Sequence, residues 1–198
     1  YARELLQGKF RYFILKKENL DKCLKYYKYT KNLNNSNLSN NMKKISPCLW
    51  FDDEAEEAAK FYVSVFPNSK IKHVEKYLTD TPSNKKIGSV MTVTFELDGN
   101  EFMGLNGGDF FKISEAVSFM IPCKDQKEME YYYDKLSDDP NSEVCGWLKD
   151  KFGVSWQIIP EDYDKFMGSL SHDKKKKVME ALLEMKRLDM DELKEAAK

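Results

Sequence analysis

The 198-residue chain carries 32 Lys and Arg against 33 Asp and Glu, a net charge of −1 that offers no long-range attraction to nucleic acid, anionic membranes or a basic partner. Its 41% hydrophobic and 13% aromatic content suits one ordinary domain, or two small modules with a shared core. Cys23, Cys48, Cys123 and Cys145 form no CxxC pair, no apolar run approaches the roughly 20 residues of a membrane span, and no signal-peptide core is bounded. These features argue against a zinc ribbon, a secreted disulfide framework and a membrane anchor, and lead us to expect a soluble, cytoplasmic protein.

In chain order, "FRYFILKKENLDKCLKYYKY" suggests a helix with Phe13, Leu20, Leu24 and Tyr27 loosely spaced, and "NLNNSNLSNN" (32–41) reads as a linker. Met42, before "KKISPCLW", reads as a natural start. Residues 1–41 are therefore expected to be an extension, non-native or disordered in part, with a partner-docking arm as the alternative.

"ISPCLW" reads as a strand. A helix follows, with Ala55, Ala58, Ala59, Tyr62, Val65 and Phe66 on one face, Asp52 or Asp53 as its cap, and Pro67 as its stop. "KIKHVEKYL" and "GSVMTVTFELDGNEFMGLNGG" supply three more strands, the last two meeting at the hairpin signal Asp98-Gly99. The order then begins again. "AVSFMIPC" is a strand, "DQKEMEYYYDKL" a helix with Met129, Tyr132, Tyr133 and Leu136 on one face, and "EVCGWLKD" and "VSWQIIP" a hairpin closed near Gly153. Sliding the first unit so that Tyr62 falls on Tyr133 places Leu49 on Met120 and Glu57 on Glu128, the trace expected of a duplicated βαβββ unit. The predicted fold class is therefore α+β, with paired modules (about 45–108 and 115–160) forming a curved mixed sheet around a cleft. A helical tail over 161–198 follows, in which "HDKKKK" is a solvated helix face capped by Ser171 and backed by Val178, Leu182 and Met185.

In this order, "ISPCLWFDDEAEEAAKFYVSVFPNSKI", "GSVMTVTFELDGNEFMGLNGG" and "CGWLKDKFGVSWQIIP" resemble the PhnB-like branch of the vicinal oxygen chelate (glyoxalase/bleomycin resistance/dioxygenase) superfamily, over residues 42–197. The resemblance implies a homodimer. It also implies metal-ligand positions, which fall on Pro47, Ser118 and Gln157 and near Met103 or Gly104. None offers the imidazole, carboxylate or thiolate that a divalent transition metal needs, so no metal or other cofactor is expected.

If Pro47 and Gln157 face the cleft, strand alternation adds Leu49, Phe51, Ser118, Met120 and Ser155 to its lining, with Asn106 at its mouth beside Gly107-Gly108. The same register sends Trp50 and Trp156 into the core and leaves Trp147 open. His73 and His172 lack partner ligands, and Cys48 and Cys145 lack a neighbouring base, so the catalytic residues stay unknown. The "LNGG" glycines are expected to form a turn. The expected function is metal-free binding of a small organic molecule, the ligand unidentified. The alternatives are an enzyme, for which the resemblance carries a 3-demethylubiquinone methyltransferase label, and a dimeric scaffold with a filled cleft.

Overall fold

Pro47 and the acidic run after Phe51 confine the first strand to four residues, β1 (Cys48–Phe51), after which the alanine stripe winds into α1 (Ala55–Val65). A computed structural model describes residues 45–81 and 84–198; the helix and linker expected before Met42 lie outside the described residues. Neither Asp52 nor Asp53 caps α1. Both accept from Lys85 Nζ, at 2.7 and 2.6 Å, because an ammonium this deeply buried requires carboxylate partners. The first-turn amide of Ala55, which has no partner within the helix, donates instead to Asn106 Oδ1 at 2.8 Å, a cap supplied from another strand.

The chain returns through β2 (Lys70–Lys76), β3 (Val90–Leu97) and β4 (Asn100–Asn106). Asp98 and Gly99 both take positive φ (44° and 80°), the geometry of a two-residue hairpin turn. The sheet order is β1-β4-β3-β2, with β1 and β4 parallel and the other pairs antiparallel.

The second module repeats the plan with β5 (Ser118–Cys123), α2 (Gln126–Leu136), β6 (Trp147–Lys149) and β7 (Ser155–Pro160), in the order β5-β7-β6 with β5 and β7 parallel. Its second strand is replaced by a single 3-10 turn at Pro140–Ser142. There Pro140 brings no amide hydrogen, Asp139 accepts from the Asn141 amide, and Ser142 Oγ donates to the Asp139 carbonyl, so local bonds satisfy what a ladder would need. The tail forms α3 (Tyr163–Gly168), α4 (His172–Glu184) and α5 (Met190–Ala196), with Val178, Leu193 and Ala197 in a small core of their own. Among the described residues no helix is long and apolar enough to cross a membrane.

One face of each sheet packs against helices. The α1 stripe Ala55, Ala58, Ala59, Tyr62 and Val65 covers Val93, Phe95 and Leu97, and the α2 stripe Met129, Tyr132, Tyr133 and Leu136 belongs to the same core. Aromatic contacts join the modules: Trp156 lies 5.5 Å from Tyr62 and 5.2 Å from Phe66 between ring centroids, and Phe102 lies 5.2 Å from Phe119. Each such pair adds about 0.5–1.5 kcal/mol beyond the area it buries.

Candidate binding face

The faces of the sheets turned away from the helices carry the candidate site, and the strand register fixes which residues each presents. In the first sheet Cys48 pairs with Met103 and Trp50 with Leu105, while Met103 faces Thr94 and Leu105 faces Thr92. These six share the open face, since side chains alternate along a strand and cross-strand partners point the same way. At one end of it Lys72 bridges Glu101 and Glu96 at 2.8 and 3.5 Å.

This register corrects four expectations. Leu49 and Phe51 are buried on the helix side, where Phe51 meets Phe152 edge to face. Asn106 is buried too; its side-chain oxygen caps α1 and one amide N–H donates to the Val90 carbonyl, so its role is to hold α1 to the sheet. Trp50, placed in the core by the sequence, lies on the open face, its indole N–H donating to the Gly108 carbonyl at 2.7 Å and its ring edge-on to Phe111. Ser46, rather than Pro47, stands in the position that Ser118 holds in the second module. The cause is one residue. Three residues separate β1 from α1 and only two separate β5 from α2, so the slide that superposes the helices misses the strands by one and reverses their faces. The ladder carries the true correspondence, because Phe51 accepts from the Gly107 amide as Cys123 accepts from the Glu161 amide.

In the second sheet Ser118, Met120, Trp147, Ser155 and Gln157 come to one face. Met120, Gln157 and Trp147 form a row across β5, β7 and β6, and Ser118, Ser155 and Lys149 form the next. Gln157 Nε2 donates to Ser118 Oγ at 2.7 Å, and Lys149 is ion-paired with Glu115. Met120 is 60% exposed, whereas Ser155 is 1% exposed. Trp156 points the other way into the core, 2% exposed.

The positions at which the resemblance implies metal ligands, with Ser46 now in place of Pro47 beside Met103, Ser118 and Gln157, supply hydroxyls, a thioether and an amide, a poor donor set for a divalent transition metal. Among the described residues no cluster of three His, Cys, Asp or Glu can hold an ion. His73 pairs with Glu75 at 2.9 Å, and His172 opens α4. Desolvation raises the Cys48 thiol pKa although the residue is exposed, the opposite of an activated nucleophile. Burial, with Glu128, Asp125 and Glu161 nearby, pushes the Cys123 thiol up to about 12. A groove of about 550 Å3 lies away from these faces, between the C-terminus of α1 and the N-terminus of α2, where Asp125 and Glu128 already cap the helix.

The distinctive sequence segments resolve into architecture. A Cβ on Gly107 would stand 2.2 Å from the Trp50 ring, so in "LNGG" the end of β4 runs into two glycines whose bare backbone makes room for that indole. Asp150 in "CGWLKDKFGVSWQI" is buried and accepts from Tyr62 Oη, Trp156 Nε1 and the Phe152 and Val154 amides at 2.8–3.0 Å. Trp50, Met103, Leu105, Thr92 and Thr94 were missed as lining. The alternation "VMTVTFEL", with Thr92, Thr94 and Glu96 against Val93, Phe95 and Leu97, carried the signal that one face is open.

Residues 43–159 match the model of the 3-demethylubiquinone-9 3-methyltransferase family. The solved PhnB protein of Bacillus cereus, provisionally described as a 3-demethylubiquinone-9 3-methyltransferase, is 34% identical and covers 60% of this chain and 99% of its own, with a TM-score of 0.50. A Staphylococcus aureus protein of known structure is 31% identical over 61% of this chain and 99% of its own, with a TM-score of 0.28. The trypanothione-dependent glyoxalase I of Leishmania major is 15% identical over 68% of this chain and 97% of its own, with a TM-score of 0.40. No curated protein sequence matches. With more than half of its length inside the family model, the chain belongs to the PhnB-like 3-demethylubiquinone-9 3-methyltransferase family.

Proposed function

We propose that this protein binds a small organic molecule on the open faces of its sheets, without a metal or other cofactor, and that it works in the cytoplasm as a homodimer. The observation that carries the reading is the Gln157–Ser118 hydrogen bond, held at 2.7 Å on an open face between the exposed thioether of Met120 and the half-buried indole of Trp147. A few fixed polar groups set among apolar side chains orient a ligand while the apolar area supplies affinity. The donor set at the superfamily's metal positions supports the metal-free part, and exposed Phe110, Phe111 and Val117 support burial against a second copy.

Native mass spectrometry of the purified protein, followed by a thermal-shift screen of small molecules, tests the reading, since a ligand of the folded state alone raises the melting temperature. Dimer mass and a retained or stabilising compound are expected. Stoichiometric Ni, Zn, Mn or Fe that survives dialysis would overturn the metal-free assignment, a monomer would overturn the dimer, and a dimer that no compound stabilises would leave the dimeric scaffold. A second reading, catalysis on a demethylated quinone, is carried by the family description alone. Methyl transfer to 3-demethylubiquinone by the purified chain, with S-adenosylmethionine supplied as the methyl donor, decides between the two.

A further inference from the structure

The lining of the second sheet selects a ligand chemistry. Gln157 is the centre of a six-residue patch: Met120 and Trp147 flank it across the ladder, and Ser118, Ser155 and Lys149 form the row beneath. Its amide spends one N–H on Ser118 Oγ. Among the described residues its carbonyl oxygen and second N–H have no side-chain or backbone partner, and the Ser118 hydroxyl hydrogen is likewise uncommitted. Beside them the Ser155 hydroxyl is buried with no hydrogen-bond partner among the described residues, an arrangement that costs about 1–3 kcal/mol wherever it is left unanswered. The patch carries no free charge, because Lys149, its one ion, is paired with Glu115.

Resting on the reading that the open face binds a small molecule, we infer that this half of it takes a neutral ring compound bearing an amide or lactam. A primary amide or lactam presents a donor and an acceptor side by side. Those complement the carbonyl oxygen of Gln157 and the hydroxyl of Ser118, while the ring lies between the thioether of Met120 and the indole of Trp147. A carboxylate of the same shape brings two acceptors and a negative charge. It can engage the second Gln157 N–H and the Ser118 hydroxyl, but it has no hydrogen to give the Gln157 carbonyl oxygen, sets its charge against that oxygen, and finds Lys149, the patch's one cation, already paired with Glu115. A vicinal dioxygen compound that depends on a metal finds no ligand set here.

Benzamide, 2-pyridone and benzoate serve as probes in titrations of the full-length 15N-labelled chain. Benzamide and 2-pyridone are expected to shift the amide signals of Ser118–Met120, Trp147–Lys149 and Ser155–Gln157, and to bind at least about tenfold more tightly than benzoate. Gln157→Leu is expected to weaken benzamide by about tenfold or more while leaving the weak benzoate affinity within about twofold. Gln157→Glu, which keeps size and fold but exchanges the amide for a charge, is expected to weaken the amides too. Benzoate binding as tightly as benzamide at the same signals would overturn the amide assignment and leave the open-face site standing. Shifts confined to other residues, or none with any probe, would overturn both.

Discussion

Asp150 shows how one buried side chain fastens a turn to a helix. Its two oxygens accept from the Tyr62 hydroxyl, the Trp156 indole and two backbone amides, tying the β6–β7 turn to α1. Asp150→Asn leaves at least one of these buried donors without an acceptor and should lower the unfolding free energy by about 1–3 kcal/mol in urea titrations. Burial raises the Asp150 pKa against the pull of the same donors. The folded chain therefore holds this proton more tightly than the unfolded chain does. The contribution is fully present below the unfolded pKa and is lost as pH rises through the folded one. The stability gap between wild type and Asp150→Asn should accordingly widen as pH falls from neutrality into the carboxylate range. Gly107 acts by its absence of a side chain: Gly107→Ala must displace the Trp50 ring or the β1–β4 backbone, and should cost about 1–3 kcal/mol and alter near-UV dichroism.

At the scale of elements, the C-terminal tail is fastened to α2 by Arg187, which binds Glu143, Glu130 and Asp134 and lies over the Tyr133 ring. The Met185 and Lys186 carbonyls meanwhile accept from the Cys145 and Gly146 amides. Arg187→Ala strands the buried Glu143 carboxylate. It should destabilise the chain by about 2 kcal/mol and speed hydrogen exchange first in α4 and α5. Nothing in "MKRL" announces this clasp, because three acids from distant positions converge on it only after folding. The helices and hairpins were legible, since Ala58, Tyr62, Met129 and Tyr133 carry the helical period and Asp98-Gly99 the turn. Where the duplicated plan implies a second strand in the second module, "SDDPNS" reads as a turn, and the bonds around Asp139 and Pro140 hold it as one.

Across the whole molecule, the contacts of Tyr62 and Phe66 with Trp156 bind the two modules into one core. Urea unfolding of residues 45–198 followed by tryptophan fluorescence and by far-UV dichroism should give coincident transitions; separated midpoints would show that the modules unfold independently. The candidate face was half legible in the sequence. Ser118, Met120, Trp147, Ser155 and Gln157 share a face because their strands were read in the correct phase, whereas β1 was read one residue out, through a connection whose length no periodicity reports.

That connection has a consequence for how such a protein changes over generations. Adding or removing a single residue between Phe51 and Ala55 turns every side chain of β1 over at once, while the α1 stripe keeps its place in the core. A lineage can thus exchange the whole open-face chemistry of a strand, Cys48 and Trp50 for Leu49 and Phe51, in one insertion or deletion rather than through a series of point substitutions. The two halves of a duplicated fold then diverge in what they hold long before they diverge in shape.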